Sequence, residues 1–140
     1  MVREFLAKDI KTIINLGQQI NPNFTKLFKV ENLPDNEVIF VYENNNEVIG
    51  FLHILINVDW IEILNVVVDE KHRGKGVASV LLDYLLSEVN IDTAKIILEV
   101  RESNTPAINL YKMFNFFVVN IRENYYGDEN AIVMERSDSL

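Results

Sequence analysis

The sequence contains no cysteine. This absence excludes a disulfide scaffold, thiolate zinc sites, iron–sulfur clusters and a cysteine nucleophile. Histidine is almost as scarce, since only His53 and His72 are present, and a multi-histidine metal site is therefore disfavoured. We expect neither a bound metal nor an acyl-cysteine intermediate.

Long hydrophobic runs are also missing. The most apolar stretch, Val48–Val58, falls well short of the ~20 residues that a membrane-spanning helix needs, and Asp59 and Glu62 interrupt its continuation. The first six residues include Arg3 and Glu4 and so lack the apolar segment of a signal peptide. These features predict a cytoplasmic protein without a membrane partner.

Positive charge is sparse. Lys and Arg number 13 against 21 Asp and Glu, which gives a formal net charge of −8 at pH 7. Such a balance disfavours a protein that coats nucleic acid, and it is compatible with a cationic substrate. We therefore expect no direct nucleic-acid partner.

The remaining composition is that of an average globular chain. With 140 residues, of which 49% are hydrophobic and 24% charged, the chain is long enough for one core and too apolar for intrinsic disorder. No linker, internal repeat or low-complexity tract divides it. Residues 1–140 are therefore predicted to form a single domain.

Hydrophobic periodicity predicts a mixed α/β fold with about seven strands and three or four helices. In the first half, the predicted elements are a strand over 1–6, a helix over 9–20, a turn-rich segment over 21–36, and strands over 38–42, 48–56 and 59–68. In the second half they are a helix over 75–89, a strand over 94–101, a helix capped by the Thr105 hydroxyl, and strands over 116–121 and 131–135. A strand, glycine loop, helix and strand in succession indicate a β-α-β crossover between two parallel strands.

The clearest chemical signal is the loop that follows the strand over 59–68, with the sequence Arg73-Gly74-Lys75-Gly76-Val77-Ala78. Glycine permits close approach of a ligand to the backbone, and the free N–H groups at a helix start attract anions such as pyrophosphate. Lys71, Arg73 and Lys75 form the one dense basic cluster of an acidic chain. The spacing fits neither GxxxxGK[ST] nor GxGxxG, and a tight turn without a ligand remains the alternative.

The pattern Arg73-x-x-Gly76-x-Ala78 resembles the [Gln/Arg]-x-x-Gly-x-[Gly/Ala] signature of the Gcn5-related N-acetyltransferase (GNAT) family. That resemblance implies the GNAT fold, acetyl-coenzyme A as cosubstrate, and a loop that holds the coenzyme pyrophosphate. It also implies that the backbone of the preceding strand pairs with the pantetheine arm. The implied coenzyme-binding residues are Val66, Val67, Val68, Arg73, Gly74, Lys75, Gly76, Val77, Ala78 and Ser79.

A second set of motifs is similar to the RimI-type branch of that family. Members of the branch acetylate the N-terminal α-amine of proteins, typically the N-terminal alanine of a small-subunit ribosomal protein. The matching segments are Leu98-Glu99-Val100-Arg101-Glu102-Ser103-Asn104, Ala107-Ile108-x-Leu110-Tyr111, Arg122-x-Asn124-Tyr125-Tyr126 and Asn130-Ala131-Ile132-Val133-Met134. By position, the resemblance implies that Glu99 is the general base, Tyr111 the general acid and Asn104 a coenzyme contact.

The match covers roughly residues 60–135, and the first third of the chain matches only in the order of its elements. Two departures stand out. Asn115-Phe116 replaces the Gly-Phe that commonly ends the helix, and asparagine tolerates the left-handed conformation needed there. Asn23-Phe24-Thr25 stands where relatives often have tryptophan and serine, which leaves the identity of the substrate open.

The chemistry of acyl transfer gives its own reasons for a base. An α-amine has a reference pKa of about 7.7–8.0, so much of it is protonated at pH 7 and cannot attack a thioester. Strand alternation puts Ile97, Glu99 and Arg101 on one face, and partial burial of a carboxylate there favours its basic function. The alternative is a solvated Glu99 paired with Arg101. Glu62, on the preceding strand, is the reserve base.

The three candidate tyrosines each have an ordinary structural alternative. Tyr111 could give a proton to the departing thiolate, although a tyrosine on the apolar face of a helix is often only a core residue. Tyr125 and Tyr126 lie in a polar loop, where they would line the peptide entrance or be plain exposed residues.

The sequence therefore predicts an acetyl-coenzyme A-dependent N-acetyltransferase that acts directly, in a ternary complex, on the N-terminus of a basic ribosomal protein. Two alternatives stay open. One is a small-molecule amine acetyltransferase for a polyamine or an aminoglycoside, and the other is a non-catalytic coenzyme A-binding module. The intact set of Glu99, Asn104 and Tyr111 favours an enzyme over the module.

Overall fold

The structure is a computed structural model that describes residues 1–88 and 95–137. The described strands are β1 (Val2–Glu4), β2 (Glu37–Asn44), β3 (Glu47–Ile56), β4 (Ile61–Val68), β5 (Lys95–Arg101), β6 (Phe117–Arg122) and β7 (Ala131–Ser137). The described α-helices are α1 (Ile10–Ile20), α2 (Phe24–Leu27), α3 (Val77–Ser87) and α4 (Thr105–Met113). These elements confirm the predicted mixed α/β fold with seven strands.

The strands form one sheet in the order β1-β2-β3-β4-β5-β7-β6. Strands β4 and β5 pair in parallel, with Ile61–Ile63 opposite Ile96–Leu98. The pairs β1–β2, β2–β3, β5–β7 and β6–β7 are antiparallel. The parallel pair predicted from the order of elements is therefore confirmed.

The chain divides into two compact units. The first comprises Met1–Leu55 and Asn65–Asn90, and the second comprises Ile56–Leu64 and Ile91–Leu140. Strand β4 contributes its first half to the second unit and its second half to the first. The single-domain organisation expected from the sequence stays a prediction.

In the first unit, the core lies between the sheet and helices α1 and α2. Phe24 is fully buried, and its ring packs against that of Phe51 at 6.0 Å. Gly17 of α1 lies so close to this ring that a Cβ would sit 2.5 Å from it. The buried cluster consists of Ile13, Leu16, Phe24, Val30, Ile39, Val41, Phe51 and Val67.

Gly50 of β3 brings the start of α3 close to the sheet. A Cβ at this position would lie 3.0 Å from the Val67 carbonyl oxygen and 3.0 Å from Val77 Cγ1. Because glycine has no side chain, the first turn of α3 can pack directly against β3 and the end of β4. This contact fixes the position of the glycine loop that precedes α3.

In the second unit, β5 alternates as predicted. Ile96, Leu98 and Val100 are buried, whereas Glu99 lies on the opposite, partly exposed face. Helix α4 ends at a left-handed residue, Asn115, with a φ of 68°. The Tyr111 carbonyl oxygen accepts hydrogen bonds from the backbone of the residues that follow the helix, which closes its last turn.

Several element boundaries differ from the sequence prediction. The helix predicted over 75–89 begins at Val77, because Gly76 adopts a φ of 84° and is its N-cap. Residues 89 and 94, predicted to end a helix and to begin a strand, lie outside the described residues. Asn104, not Thr105, caps α4, and the Asn104 side chain accepts a hydrogen bond from the Ala107 N–H.

The hairpin and the turn-rich segment also differ in detail. Strands β2 and β3 are longer than predicted because Asn45 and Asn46, both with positive φ, form a two-residue turn. The segment over 21–36 includes helix α2 and a short 3-10 helix, Val30–Asn32. Among the described residues, no helix has both the length and the hydrophobicity to cross a membrane.

Candidate active site

The glycine loop of the first unit has an open, anion-receptive geometry. Gly74 and Gly76 have φ values of 77° and 84°, and a Cβ at either position would meet no atom within 4 Å. As the N-cap, Gly76 leaves the N–H groups of the first turn of α3 without an intrahelical acceptor. Val77, Ala78 and Ser79 supply these donors, and their binding of pyrophosphate stays a prediction.

Backbone and side-chain hydrogen bonds of Asp69 hold this loop in place. The Asp69 N–H donates to the Ile49 carbonyl at 2.8 Å, and Gln19 Nε2 donates to Asp69 Oδ1 at 3.2 Å. His72 Nδ1 lies 3.2 Å from Asp69 Oδ2. Burial acts to raise the pKa of Asp69, but its hydrogen bonds to Gln19 and His72 outweigh burial and hold the pKa below its usual value. The carboxylate is therefore ionised and anchors the loop at neutral pH.

The basic residues of the loop are available to an anion. Arg73 Nε donates to the Val68 carbonyl at 3.2 Å, which places the guanidinium at the end of β4. Lys71 and Lys75 are exposed. Together with the open space at the two glycines and the helix N–H groups, these cations fit a pyrophosphate group.

In the second unit, two glutamates lie on the same face of neighbouring strands. Glu62 of β4 is opposite Ile97 of β5, and Glu99 follows two residues later on β5. Desolvation raises the pKa of Glu62, and the negative charge of Glu99 raises it further. From the sequence, Glu99 was predicted to be the general base and Glu62 the alternative base. In the structure the two side chains are neighbours, and the charge of Glu99 acts on Glu62.

Glu99 has one bound and one free carboxylate oxygen. Arg122 Nη1 lies 2.9 Å from Glu99 Oε1. The second oxygen, Oε2, is buried and has no hydrogen-bond partner within the described part of the chain. A buried carboxylate oxygen without a donor is costly, so this atom is suited to receive an N–H or O–H group from a ligand.

Arg101 is not the partner of Glu99, in contrast to the structural alternative drawn from the sequence. Its Nη1 atom lies 3.0 Å from Asp128 Oδ1 and 3.1 Å from Glu129 Oε2. The partner is Arg122 because β7 lies between β5 and β6 and its register puts the end of β6 near Glu99. Arg122 belongs to one of the sequence motifs, but its contact with Glu99 follows only from the strand order.

Tyr125 and Tyr126 belong to the same cluster. Their rings contact edge to face, with centroids 5.1 Å apart. The Arg122 guanidinium stacks on Tyr125 and that of Arg101 on Tyr126, each 4.2 Å from the ring centroid. Burial, and then the charge of Glu99, raises the pKa of Tyr126. The two loop tyrosines are thus held rigidly, next to Glu99.

Tyr111 lies on the inner side of α4. The residue is 7% exposed, and its ring packs against Phe116, with ring centroids 5.7 Å apart. Desolvation raises the pKa of Tyr111 to about 12, so its hydroxyl keeps its proton at neutral pH. Asn104 uses Oδ1 to cap the same helix, with 3.3 Å between Oδ1 and the Ala107 nitrogen. Its predicted coenzyme contact stays a prediction.

His53 is a buried residue whose two ring nitrogens both have hydrogen-bond partners. It is fully buried in the first unit, with Nε2 2.7 Å from Glu37 Oε1 and Nδ1 3.1 Å from Asn65 Nδ2. Burial lowers the pKa of His53, against the opposing effect of Glu37. Across the described residues, no group of three or more His, Asp or Glu side chains could hold a metal ion.

The sheet order with its parallel β4–β5 pair is that of the α/β GNAT fold. Residues 10–116 match the family model described as "Acetyltransferase (GNAT) family". The chain therefore belongs to the GNAT family of acetyltransferases, and it is an acyltransferase.

Known relatives agree with this assignment and with the RimI-type resemblance. The chain is 33% identical to an N-alpha-acetyltransferase of Saccharolobus solfataricus, over 96% of this chain and 91% of the relative. It is 34% identical to the ribosomal protein bS18-alanine N-acetyltransferase of Escherichia coli, over 68% of each protein. The crystal structure of the ribosomal-protein-S18-alanine N-acetyltransferase from Escherichia coli superposes with a TM-score of 0.85, at 26% identity, covering 100% of this chain and 94% of the other.

Proposed function

We propose that this protein transfers the acetyl group of acetyl-coenzyme A to the N-terminal α-amine of a protein. The names of its relatives support this acceptor, since they are N-alpha-acetyltransferases and ribosomal protein bS18-alanine N-acetyltransferases. Within that class, the proposed substrate is the N-terminal alanine of a basic small-subunit ribosomal protein. A net charge of −8 favours such a cationic partner, and the substrate would place the reaction in the cytoplasm.

The observation that carries this proposal is the free oxygen of Glu99. Glu99 Oε2 is buried without a partner, next to a second carboxylate, Glu62, and to the Tyr125-Tyr126 loop. An α-ammonium group brings the N–H donors that such an oxygen lacks, and it must lose a proton before the neutral amine can attack. The Glu62–Glu99 pair supplies both an acceptor for the hydrogen bond and an acceptor for the proton.

Acetyl-coenzyme A, when bound, supplies the acetyl thioester. The loop residues Arg73–Ser79 would hold its pyrophosphate, and the backbone of Val66–Val68 would pair with its pantetheine arm. Strand β4 carries both this segment and Glu62. The amine nitrogen attacks the thioester carbon, its proton passes to the Glu62–Glu99 pair directly or through a water, and the carbon–sulfur bond breaks as the coenzyme thiolate leaves.

Tyr111 would protonate the departing sulfur. Its raised pKa of about 12 keeps the hydroxyl protonated at every pH at which the amine is reactive. The buried ring holds the hydroxyl in a fixed position against Phe116. No cysteine is present to carry an acyl group, which supports direct transfer in a ternary complex.

Replacing Tyr111 with Phe is expected to reduce kcat by about 10²-fold with little change in melting temperature. The substitution keeps the ring and its contact with Phe116 and removes only the proton donor. Steady-state kinetics and thermal denaturation measure the two effects. A tyrosine with a purely structural role would instead lose stability, by about 1–3 kcal/mol if its hydroxyl were buried and bonded. Tyr84→Phe, on α3, is the matched control, because Tyr84 also packs against an aromatic ring.

The acceptor is tested by incubating the protein with acetyl-coenzyme A and a panel of peptides with free N-termini. Mass spectrometry then localises the acetyl group. We expect acetylation of the α-amine, fastest for peptides that begin with alanine followed by basic residues, and slower at high salt because screening weakens the charge attraction. Spermidine and an aminoglycoside, in parallel reactions, represent the small-molecule alternative.

Three results would contradict the proposal. Acetyl groups found only on internal lysines would exclude the α-amine as acceptor. Turnover with spermidine or the aminoglycoside alone would identify a small-molecule acetyltransferase. Binding of acetyl-coenzyme A without turnover of any amine would identify a coenzyme-binding module.

A further inference from the structure

Arg122 and Arg101 have similar surroundings but different anions. Each guanidinium stacks on one tyrosine of the same pair, at 4.2 Å from the ring centroid. Arg101 completes its contacts with two acidic residues of the β6–β7 loop, Asp128 and Glu129. Arg122 instead reaches across β7 to a candidate catalytic carboxylate, Glu99. Only one of the two arginines is therefore in a position to influence the proposed chemistry.

The contact with Arg122 is made by one oxygen of Glu99. Nη1 binds Oε1 at 2.9 Å, and the stacking on Tyr125 restrains the guanidinium from the other side. The Glu99 side chain is consequently fixed, with its buried Oε2 left free. If Arg122 were absent, Glu99 could rotate and expose Oε2 to other donors.

Arg122 also brings a positive charge to a cluster of acidic groups. Glu99 faces Glu62 from β4 and Tyr126 from the β6–β7 loop, and the charge of Glu99 acts on both. On the same face, Glu135 of β7 is already paired with Lys95 of β5 at 3.3 Å. Two adjacent carboxylates hold a shared proton to a higher pH when no cation compensates them.

We propose that Arg122 is a positioning residue: it holds Glu99 through Oε1, so that the free Oε2 is directed toward the acceptor amine, and its positive charge compensates the carboxylate of Glu99 beside Glu62. This inference rests on the proposed function. It assigns to Arg122 a role in the proton transfer without contact with the substrate, and it assigns no such role to Arg101.

The test is a pH titration of the glutamate carboxyl carbons by ¹³C NMR in the free protein, which requires no activity. Glu62→Gln and Glu99→Gln assign the two signals. The variant Arg122→Met keeps an apolar side chain on Tyr125 but removes the charge. In this variant, the higher of the two titration midpoints of Glu62 and Glu99 should rise by about half to one pH unit. The pair is partly exposed, with 48% of Arg122 and 24% of Glu99 accessible, so a larger shift is not expected.

Arg101→Met is the matched control, and it should leave the midpoint within about 0.2 pH units of the wild-type value. Arg122→Lys restores a positive charge and should bring the midpoint most of the way back to the wild-type value. Arg122→Gln replaces Arg122→Met if the latter does not fold. An unchanged midpoint in the Arg122 variant, or an equal shift in Arg101→Met, would overturn the proposal.

A kinetic measurement separates this inference from the function on which it rests. If wild-type protein acetylates a peptide, kcat of Arg122→Met should fall most at low pH and recover as the pH rises, because the carboxylates ionise again. A loss of kcat that is equal at every pH would mean that the charge of Arg122 does not act on the carboxylates, and it would contradict that part of the proposal. If wild-type protein acetylates no peptide, the proposed function fails, while the NMR titration still decides whether Arg122 controls the pair.

Discussion

Replacing Glu99 with Gln is expected to lower turnover about 10²–10⁴-fold and to leave the affinity for acetyl-coenzyme A unchanged. The amide keeps the shape of the side chain but cannot accept the proton of the amine. It also weakens the contact with Arg122, since the 2.9 Å ion pair becomes a hydrogen bond to a neutral oxygen. Steady-state kinetics with an N-terminal peptide and calorimetry with acetyl-coenzyme A measure the two effects.

The same variant should change the pH dependence of any remaining activity. Desolvation and the charge of Glu99 both raise the pKa of Glu62. Because Glu99→Gln removes the second cause, the pKa of Glu62 should fall toward its ordinary value. Glu62 accepts a proton only when ionised, so the acidic limb of residual activity that depends on Glu62 should move to lower pH.

Glu135→Gln is the control for Glu99→Gln. Glu135 is a glutamate of the adjacent strand β7 that is also engaged in an ion pair, with Lys95, and it should retain most of the wild-type turnover. If Glu99→Gln were as active as the wild-type protein, Glu99 could not be the base. The loss of turnover would then be expected in Glu62→Gln. Full activity in Glu99→Gln and in Tyr111→Phe together would remove the proposed proton path.

The fold was largely predictable because its signals are local. Alternation along β5 placed Glu99 opposite the buried Ile96, Leu98 and Val100, and the structure has the same arrangement. The strand–loop–helix–strand order predicted the parallel β4–β5 pair. Asn115 was expected to end α4 in a left-handed conformation, and it does. Each of these inferences depends on the local sequence pattern or on the order of consecutive elements.

The contacts that organise the candidate site depend on distant parts of the chain and were not predictable. Arg122 meets Glu99 because β7 separates β5 from β6, which no sequence period reveals. The loop anchor Asp69 is bound by Gln19 of α1, fifty residues earlier. The desolvation of Glu62 likewise follows from the pairing of β4 with β5, and the sequence ranked this residue only as a reserve.

Replacing Gly76 with Asp is expected to weaken acetyl-coenzyme A binding by about 100-fold or more while the protein stays folded. Gly76 has a φ of 84°, a conformation that Asp tolerates better than most residues, and a Cβ there would meet no atom within 4 Å. The new carboxylate would lie beside the free N–H groups of the first turn of α3 and would repel the coenzyme pyrophosphate. At an effective dielectric constant of ~20, one such repulsion at ~4 Å is on the order of 4 kcal/mol before salt screening, which exceeds the ~2.7 kcal/mol that a 100-fold loss requires.

Gly127→Asp is the matched control for this prediction. Gly127 also has a φ of 84° and open surroundings, and the substitution adds the same charge, but it lies in the β6–β7 loop of the second unit. Calorimetry should therefore give near wild-type coenzyme affinity for Gly127→Asp and a large loss for Gly76→Asp, with thermal denaturation confirming that both variants fold. Equal affinity in a folded Gly76→Asp protein would mean that the pyrophosphate does not bind at the start of α3. An equal loss of coenzyme affinity in both variants would mean that the added net charge, and not its position, causes the loss. We do not expect this result, because the basic cluster around Arg73 dominates the local charge at the coenzyme site.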